Sequence, residues 1–383
     1  MKRNYFVMMM LATALMLAGS EMAAQSQIGI GAELRPRLEI RDGYQKIAED
    51  GAVPTVLISQ RSRLMFNFNS EHVKVKVVPQ DVRIWGDEKI ANTTGVFGDE
   101  ASLDLHEAFA EIKLFGSSWI SVGRQELVYD NMSILSNRNW NQHGMASDAA
   151  VLKSDLGGVK MHLGGTWNTF KESNSNNFFL PDRLKTLSFL WLNRKFQNGF
   201  NLSAVHLATG ITETDTTNAL QFRQTTGLYA EYRKKYTALN GNIYYQYGKN
   251  QQGVKVSAWM ADADISQRFG ILTAGLGLGY QSGNRVAPQY RTIDKRFYDI
   301  YRAKHKFFGF MDYFTNIPGQ TAGGGLADYY WYLDWKMTGK TSLRNTVHYF
   351  MLAQTNPATP AEKHLGYEND LILSHRFSPW GMV

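Results

Sequence analysis

Residues 30–40 read Ile30-Gly31-Ala32-Glu33-Leu34-Arg35-Pro36-Arg37-Leu38-Glu39-Ile40. Ile30, Ala32, Leu34, Leu38 and Ile40 share one parity, and Glu33, Arg35, Arg37 and Glu39 share the other. Successive side chains of a strand point to opposite faces, so this strand has one aliphatic face and one face carrying charges of both signs. In a soluble sandwich the aliphatic face would meet a second sheet. In an outer-membrane barrel it meets lipid while the charged face lines an aqueous lumen, and about 9 to 11 residues suffice for a tilted crossing.

The pattern recurs along the chain. Leu64, Phe66 and Phe68 oppose Arg63, Asn67 and Asn69; Val73, Val75 and Val77 oppose Lys74 and Lys76; Ala108, Ala110 and Ile112 oppose Glu107, Glu111 and Lys113. Further on, Val159, Met161, Leu163 and Trp167 oppose Lys160, His162, Thr166 and Asn168, and Leu272 to Tyr280 alternates with threonine and glycines. Each run fits one apolar and one wet face. Short connections such as 115–118, 195–199 and 269–270 contrast with long polar ones at 41–54, 87–102, 171–182 and 210–221, the rim asymmetry of a membrane barrel. After a leader of 24 residues is removed from the 383, about 20 residues per strand and connection gives about 18 strands, within a range of 16 to 18. The expected fold is therefore all-β, a transmembrane antiparallel up-and-down barrel occupying residues 25–383 as one domain. The longest irregular stretch, 282–327, is aromatic-rich and is expected to fold over or into the lumen.

Composition narrows the function. Residues 1–24 have Lys2 and Arg3, then an apolar run and small residues at Ala23 and Ala24, as in a secretory signal cleaved before Gln25. The chain has no Cys, which excludes disulfides, thiolate metal sites, a Cys nucleophile and a lipidated Cys. Beyond the leader there is no apolar window of about 18 residues, so crossing by helices is excluded. The 21 Phe, 19 Tyr and 9 Trp suit aromatic girdles at the membrane interfaces. The formal charge of +7 is modest, implies no nucleic-acid partner, and draws on arginines gathered in the first strands.

Residues Gly123-Arg124-Gln125-Glu126-Leu127-Val128-Tyr129-Asp130-Asn131, then Asn139-Trp140-Asn141-Gln142 and Ser147-Asp148-Ala149, resemble the central signature of the alginate-export (AlgE-like) outer-membrane porin family. Arg61-Ser62-Arg63-Leu64, Gln80 to Gly86, Glu107-Ala108-Phe109 and the segment from His305 to Asp312 are similar to further motifs of that family. The resemblance runs from about Arg35 to Tyr330. It implies an 18-stranded barrel in the outer membrane whose arginine-rich lumen passes anionic polysaccharide or other anionic solutes. The chain departs from the family at Gly144-Met145-Ala146-Ser147-Asp148, which lacks the basic residue often found there. It departs again at Trp380-Gly381-Met382-Val383, which has the look of a strand beginning, so the C-terminal strand is expected to be very short or incomplete.

Arg35, Arg37, Arg61, Arg63, Arg83 and Arg124 are the expected pore lining, because guanidinium groups stay charged and hold carboxylates bidentately. Glu33, Glu39, Asp81, Glu107, Glu111 and Asp130 lie beside them to orient the cations and moderate the field. Trp85 and Trp140 are candidates for stacking on sugar rings, whereas outward tryptophans such as Trp167 are expected to anchor at the interface. The scattered His72, His106, His143, His162 and His206 form no metal-ligand spacing, no Gly-x-Ser-x-Gly elbow is present, and neither a cofactor nor catalysis is implied. The expected partners are outer-membrane lipid, an anionic saccharide or small anion, and a periplasmic export partner. Two rival readings stand beside the pore: a barrel plugged by its own long loop with a structural or adhesive role, and a secreted β-sandwich enzyme acting on polysaccharide.

Overall fold

The computed structural model describes residues 26–86, 102–175, 178–286 and 292–383. The leader, the 282–327 stretch at 287–291 and much of the 87–102 connection fall outside the described residues. The strands are β1 Gln27–Arg41, β2 Thr55–Asn69, β3 Val73–Ile84, β4 Ser102–Lys113, β5 Trp119–Gln125, β6 Ser147–Leu156, β7 Val159–Trp167, β8 Thr186–Lys195, β9 Phe200–Thr212 and β10 Leu220–Lys234. They continue as β11 Thr237–Gly248, β12 Lys255–Val256, β13 Ala258–Phe269, β14 Leu272–Gln281, β15 Ile293–Asp294, β16 Leu326–Lys336, β17 Thr341–Leu352, β18 His364–Ser378 and β19 Gly381–Met382.

Apart from the small parallel pair β12–β15, each strand pairs antiparallel with the next, in one 17-stranded sheet of the described residues. That meander is an up-and-down barrel wall, within the expected 16 to 18 strands, and it is incompatible with two packed sheets. Ala32 to Pro36 of β1, Ser62 to Leu64 of β2 and Phe377, Trp380 and Gly381 to Val383 of the last hairpin line one cleft. No helix of the described residues is long and apolar enough to cross a membrane; the crossing is made by strands.

The turns follow from local chemistry. Gly157 and Gly158, at φ 62° and 85°, make the two-residue β6–β7 turn in the doubly left-handed conformation that matches strand twist. Exposed apolar side chains form the outward face: Ile30, Leu34 and Leu38 on β1, Leu64 and Phe66 on β2, and Leu276 on β14. Towards the long-loop rim, Tyr245 pairs with Trp259, Tyr329 with Tyr349, and Tyr349 with Tyr367, continuing an outward belt that includes Trp167. At the short-turn rim Phe115, Tyr236, Phe269, Trp335 and Phe377 form the second belt. Tyr329 and Trp335 on β16 are six residues apart, so the two belts stand roughly 20 Å apart along the strand, with apolar side chains between them.

The inward face is not uniformly polar. Val151 on β6, Leu187, Phe189 and Trp191 on β8, Val205 and Leu207 on β9, and Met260 on β13 are buried in one cluster inside the barrel. They are covered by Leu127, Leu135 and Phe297, which belong to connections rather than to the wall. Two long connections therefore fold into the lumen and give it a packed core.

Candidate pore constriction

The first infolded segment, residues 126–146, joins β5 to β6. Its entry is set by a bulge in β4: Val78 pairs with Glu107 and Pro79 with Leu105, which leaves His106 unpaired. Pro79, which has no N–H to give to the ladder, sits where the pairing breaks. The bulge turns both His106 and Glu107 inward and buried. His106 Nε2 lies 2.8 Å from Glu126 Oε1, and Glu107 Oε1 accepts the Glu126 N–H at 3.3 Å. Beyond this clamp, Asp130 accepts hydrogen bonds from Trp191 Nε1 at 3.1 Å and from Ser203 Oγ at 2.5 Å. Burial pushes the Asp130 carboxyl up from its ordinary range, against those two donors. Asp130, Met132 and Arg138, all with positive φ, bend the segment into a hook.

The second infolded segment lies between β14 and β16. Its anchor is Arg302, fully buried, with Nη2 2.8 Å from Asp262 Oδ1 on β13 and its guanidinium 3.9 Å from the centre of the Phe307 ring. Asp262 Oδ2 accepts from Asn242 at 2.9 Å and from Ser133 of the first segment at 3.2 Å. One carboxylate thus holds both segments. They also meet directly: Ser136 Oγ donates to the Tyr301 carbonyl at 2.5 Å, Arg138 Nε to that of Arg302 at 3.2 Å, and the Ala303 N–H to that of Met132 at 3.1 Å. The Trp140 ring stacks on His305 at 3.8 Å between centroids, with Phe310 on the other side of His305 at 4.5 Å.

The tip of the second segment docks on β18 and on the loop after β1. Met311 N–H donates to Glu368 Oε1 at 2.7 Å and Phe310 N–H to Asp370 Oδ2 at 3.2 Å, both carboxylates being on β18. On the other side Tyr44 Oη donates to Asp312 Oδ2 at 2.7 Å, in the loop after β1. Gly309, at φ 80°, lies where any Cβ would strike the Glu368 carboxylate.

The wall of β1 to β3 carries the expected inward cations, with an unexpected use. Arg35 donates to the carbonyls of Asn139, Trp140 and Asn141 at 2.7 to 3.2 Å and to Gln142 Oε1 at 2.8 and 3.0 Å. Arg61, buried, pairs with Glu33 and reaches the Gln142 carbonyl at 3.4 Å. Arg63 donates to Gln80 Oε1 at 2.7 Å and to the His143 carbonyl at 3.3 Å. These three hold residues 139–143 against the wall. Arg37 donates from Nη1 to the Trp140 carbonyl at 3.0 Å and lies 3.3 Å from Glu39 and 4.8 Å from the Trp140 ring, and Arg41 pairs with the same Glu39 at 3.0 Å. Below them Lys76 pairs with Glu107, and Lys74 and Lys153 converge on Glu111.

Three expected lining residues lie elsewhere. Arg124 pairs across the strands with Ala108 and Asp148, on the outward row of Val122, and its ion pair with Asp148 at 3.2 Å is on the outer surface. Asp81 and Arg83 pair across with Ser62 and Gln60, sharing the outward row of Leu64 and Phe66, and they form a bidentate pair with each other at 2.8 and 2.9 Å. Outward polar groups cost little near a rim, where headgroups and water replace hydrocarbon. Trp85 donates to Gln60 on that same outward row at 3.1 Å, so it is not a lumen platform. Trp140 is inside, and Trp119 and Trp191 also turn inward, Trp119 beneath the Lys74 ammonium at 4.0 Å.

Two cavities flank the infolded core. The one at the long-loop side, about 220 Å³, is lined by Arg183, Arg223, Lys249, Asp294 and Arg296. The one at the short-turn side, about 630 Å³, is lined by Glu231, Arg233, Asp264, Tyr330, Arg344 and Asp370 among others.

A family model described as alginate export matches residues 26–364. No curated protein matches the chain in sequence. Among solved structures the fold is similar to OccAB1 of Acinetobacter baumannii, at 12% identity and a TM-score of 0.58 over 93% of this chain and 88% of that one. It is similar to OpdK of Pseudomonas aeruginosa, solved with vanillate, at 10% identity and a TM-score of 0.56 over 92% and 87%. An anion-selective porin from Comamonas acidovorans aligns at 10% identity and a TM-score of 0.50 over 85% and 89%. With a signature carried through the infolded segment and a family match over nearly the whole barrel, the chain belongs to the alginate export family of outer-membrane porins.

Proposed function

We propose that this porin passes small anionic solutes, carboxylate-bearing saccharides among them, by facilitated diffusion and without catalysis. The observation that carries the proposal is the run of inward cations down one wall: Arg41, Arg37, Arg35, Arg61, Arg63, Lys76 and Lys74 extend from the long-loop end of β1 to the short-turn end of β3. Inside a narrow aqueous passage such a row concentrates anions and offers several weak contacts in series, which permits release as well as entry. In this proposal Arg37, Arg41, Lys74 and Lys76 touch the solute, while Arg35, Arg61 and Arg63 position the constriction. Glu39, Glu107 and Glu111 moderate the field, and the direction of transport follows the solute gradient or a periplasmic partner.

The rival of a plugged, non-conducting barrel draws on the apolar core in the lumen. Planar-bilayer recording across a potassium chloride gradient separates the two. The expected result is unitary steps with a reversal potential on the anion side, moved towards cations in Arg37→Glu. A charge 6 Å from the permeating ion in a water-like medium is worth about 0.7 kcal/mol, roughly threefold in local anion concentration, so reversing one charge should lower the local anion concentration about tenfold and raise that of cations by a similar factor. Absence of steps, or selectivity unchanged in Arg37→Glu and Lys76→Glu, would exclude conduction along this wall.

A further inference from the structure

The outer surface of the barrel carries a cleft that the pore does not use. It has a volume of about 330 Å³ and is lined by Trp167, Thr169, Lys185, Thr212, Asn218 and Leu220. Trp167 and Leu220 belong to outward rows, the first with Leu163 on β7 and the second with Phe222 and Leu228 on β10, so the cleft opens away from the lumen. It lies at the long-loop ends of these strands, which face the cell exterior in barrels of this kind. Trp167 also belongs to the outer aromatic belt, which puts the cleft at headgroup height.

Its chemistry is that of a cation held in waiting. Lys185 is only 7% exposed, and no carboxylate pairs with it among the described residues. Its ammonium has three protons to give, and among the described residues it gives one hydrogen bond, to the Asn168 carbonyl at 2.6 Å. The Trp167 ring lies 4.7 Å from it and the Phe179 ring 5.0 Å. A buried ammonium without a counter-ion is costly, and the cost is relieved by an anion entering from the open side. Among the described residues no acid lines the cleft, while Asn218 and Thr169 add neutral donors to its lining.

We propose that this cleft is a site for the phosphate of an outer-leaflet lipid headgroup: the phosphate meets the Lys185 ammonium, the sugar or glycerol that carries it lies over Trp167, and the acyl chains run down past Leu220 and Phe222. Lipid is chosen over a soluble anion because the cleft faces the bilayer and is continuous with the apolar outer surface.

The full barrel, purified in detergent and stripped of lipid, is titrated by native mass spectrometry with a diphosphorylated lipid A and with the same lipid after dephosphorylation. The expected result is one tightly retained phosphorylated lipid, about tenfold weaker in Lys185→Gln, the size of one charge-assisted hydrogen bond. Because Lys185 is buried, Asn218→Asp is the second variant; it puts a carboxylate at the exposed mouth and should weaken binding similarly, with heat-modifiable gel mobility confirming a folded barrel. Lys340→Gln, at the opposite rim, should bind as the parent does. Equal retention of both lipids, or binding unchanged in Lys185→Gln and Asn218→Asp, would overturn the proposal. Displacement by millimolar inorganic phosphate would reassign the site to a soluble anion and overturn it equally.

Discussion

Asp262 is the one carboxylate that pairs with the fully buried Arg302 among the described residues, and it also receives Asn242 and Ser133, so Asp262→Ala should loosen both infolded segments together. Removing one partner of a buried ion pair costs about 3–5 kcal/mol, because the remaining charge has no water to turn to. The two lost neutral-donor hydrogen bonds add about 1 kcal/mol each. A change of order 5 kcal/mol is between three and four decades in an equilibrium constant. The wall strands keep their ladders, so the loss falls on the docking of residues around 133 and 302 and not on the barrel. Single-channel recording should therefore show larger and noisier unitary steps in Asp262→Ala, with the folded band on a heat-modifiability gel retained. The control is Asp262→Ala combined with Arg302→Met, which removes both charges and places a flexible apolar chain against Phe307 and Phe308; it should close much of the leak. The reasoning fails if the folded single variant records like the parent, or if the double variant leaks as much as the single one.

Other expectations follow from the same contacts. Gly309→Ala meets a left-handed backbone and the Glu368 carboxylate at once, so the 309–312 tip should detach from β18, read as faster hydrogen exchange at Phe310 and Met311 with little change in thermal stability of the wall. Phe189→Ala removes a buried ring packed edge-on to Tyr129 at 5.2 Å and should cost about 3–5 kcal/mol in barrel unfolding by denaturant, an effect far larger than that of an outward aromatic such as Phe115→Ala. The outer clasp at Asp294 should resist acid. Burial works against its ionisation, but the bidentate Arg296 at 2.8 and 2.9 Å, and then Arg223, hold the carboxyl well below its ordinary range. A depressed acid stabilises the folded clasp at every pH above its unfolded value of about 3.9, and that contribution is lost only as pH falls below it towards the folded value. Limited proteolysis should find the outer loops equally protected at pH 7 and pH 5; cleavage near residue 294 already appearing at pH 5 would contradict this.

The wall was readable because lipid and lumen impose opposite demands on alternate residues. Ile30 to Ile40 shows this without interruption, and Arg35, Arg37, Glu33 and Glu39 indeed share the inward row. Arg83 and Asp81 show that residue type yields to parity: they continue the odd-numbered row of Val73, Val75 and Val77, which faces outward. Arg124 shares the outward row of Val122 for the same reason. Charge alone does not say inward when the position is close to a rim. The β4 bulge did leave a trace, since the exposed apolar parity moves from Leu103 and Leu105 to Ala108, Ala110 and Ile112, and a one-residue shift of that kind requires an extra residue between them.

The infolded core was less legible. On β8 both parities are apolar, Leu187, Phe189 and Trp191 inward and Leu190 and Leu192 outward, so alternation cannot say which row meets lipid. What resolves the ambiguity is a partner distant in sequence: Leu127, Leu135 and Phe297 need an apolar surface, and the inner face of β6, β8 and β9 is the one within reach. The same distance effect explains the arginines. Arg35, Arg61 and Arg63 fit any scheme that calls for inward cations, but only the path of residues 139–143 makes all three anchors, because a folded-in peptide turns its carbonyls towards their guanidinium groups.

Anchoring and lining therefore compete for one set of charges, and geometry divides them. A guanidinium whose donors are already engaged by fixed carbonyls offers a passing anion its charge but few free N–H groups. Arg37 gives one N–H to the Trp140 carbonyl and shares the single carboxylate of Glu39 with Arg41, so each of the two is less fully engaged than Arg35, which makes five such bonds. Two cations on one carboxylate leave a net positive pair at the mouth, and the stack of Trp140 on His305 keeps that pair at the edge of the infolded core instead of beneath it. On the proposed reading the deepest arginines hold the constriction in place, and anion selection falls to the charges at its entrance and exit, Arg37 and Arg41 above it and Lys74 and Lys76 below it.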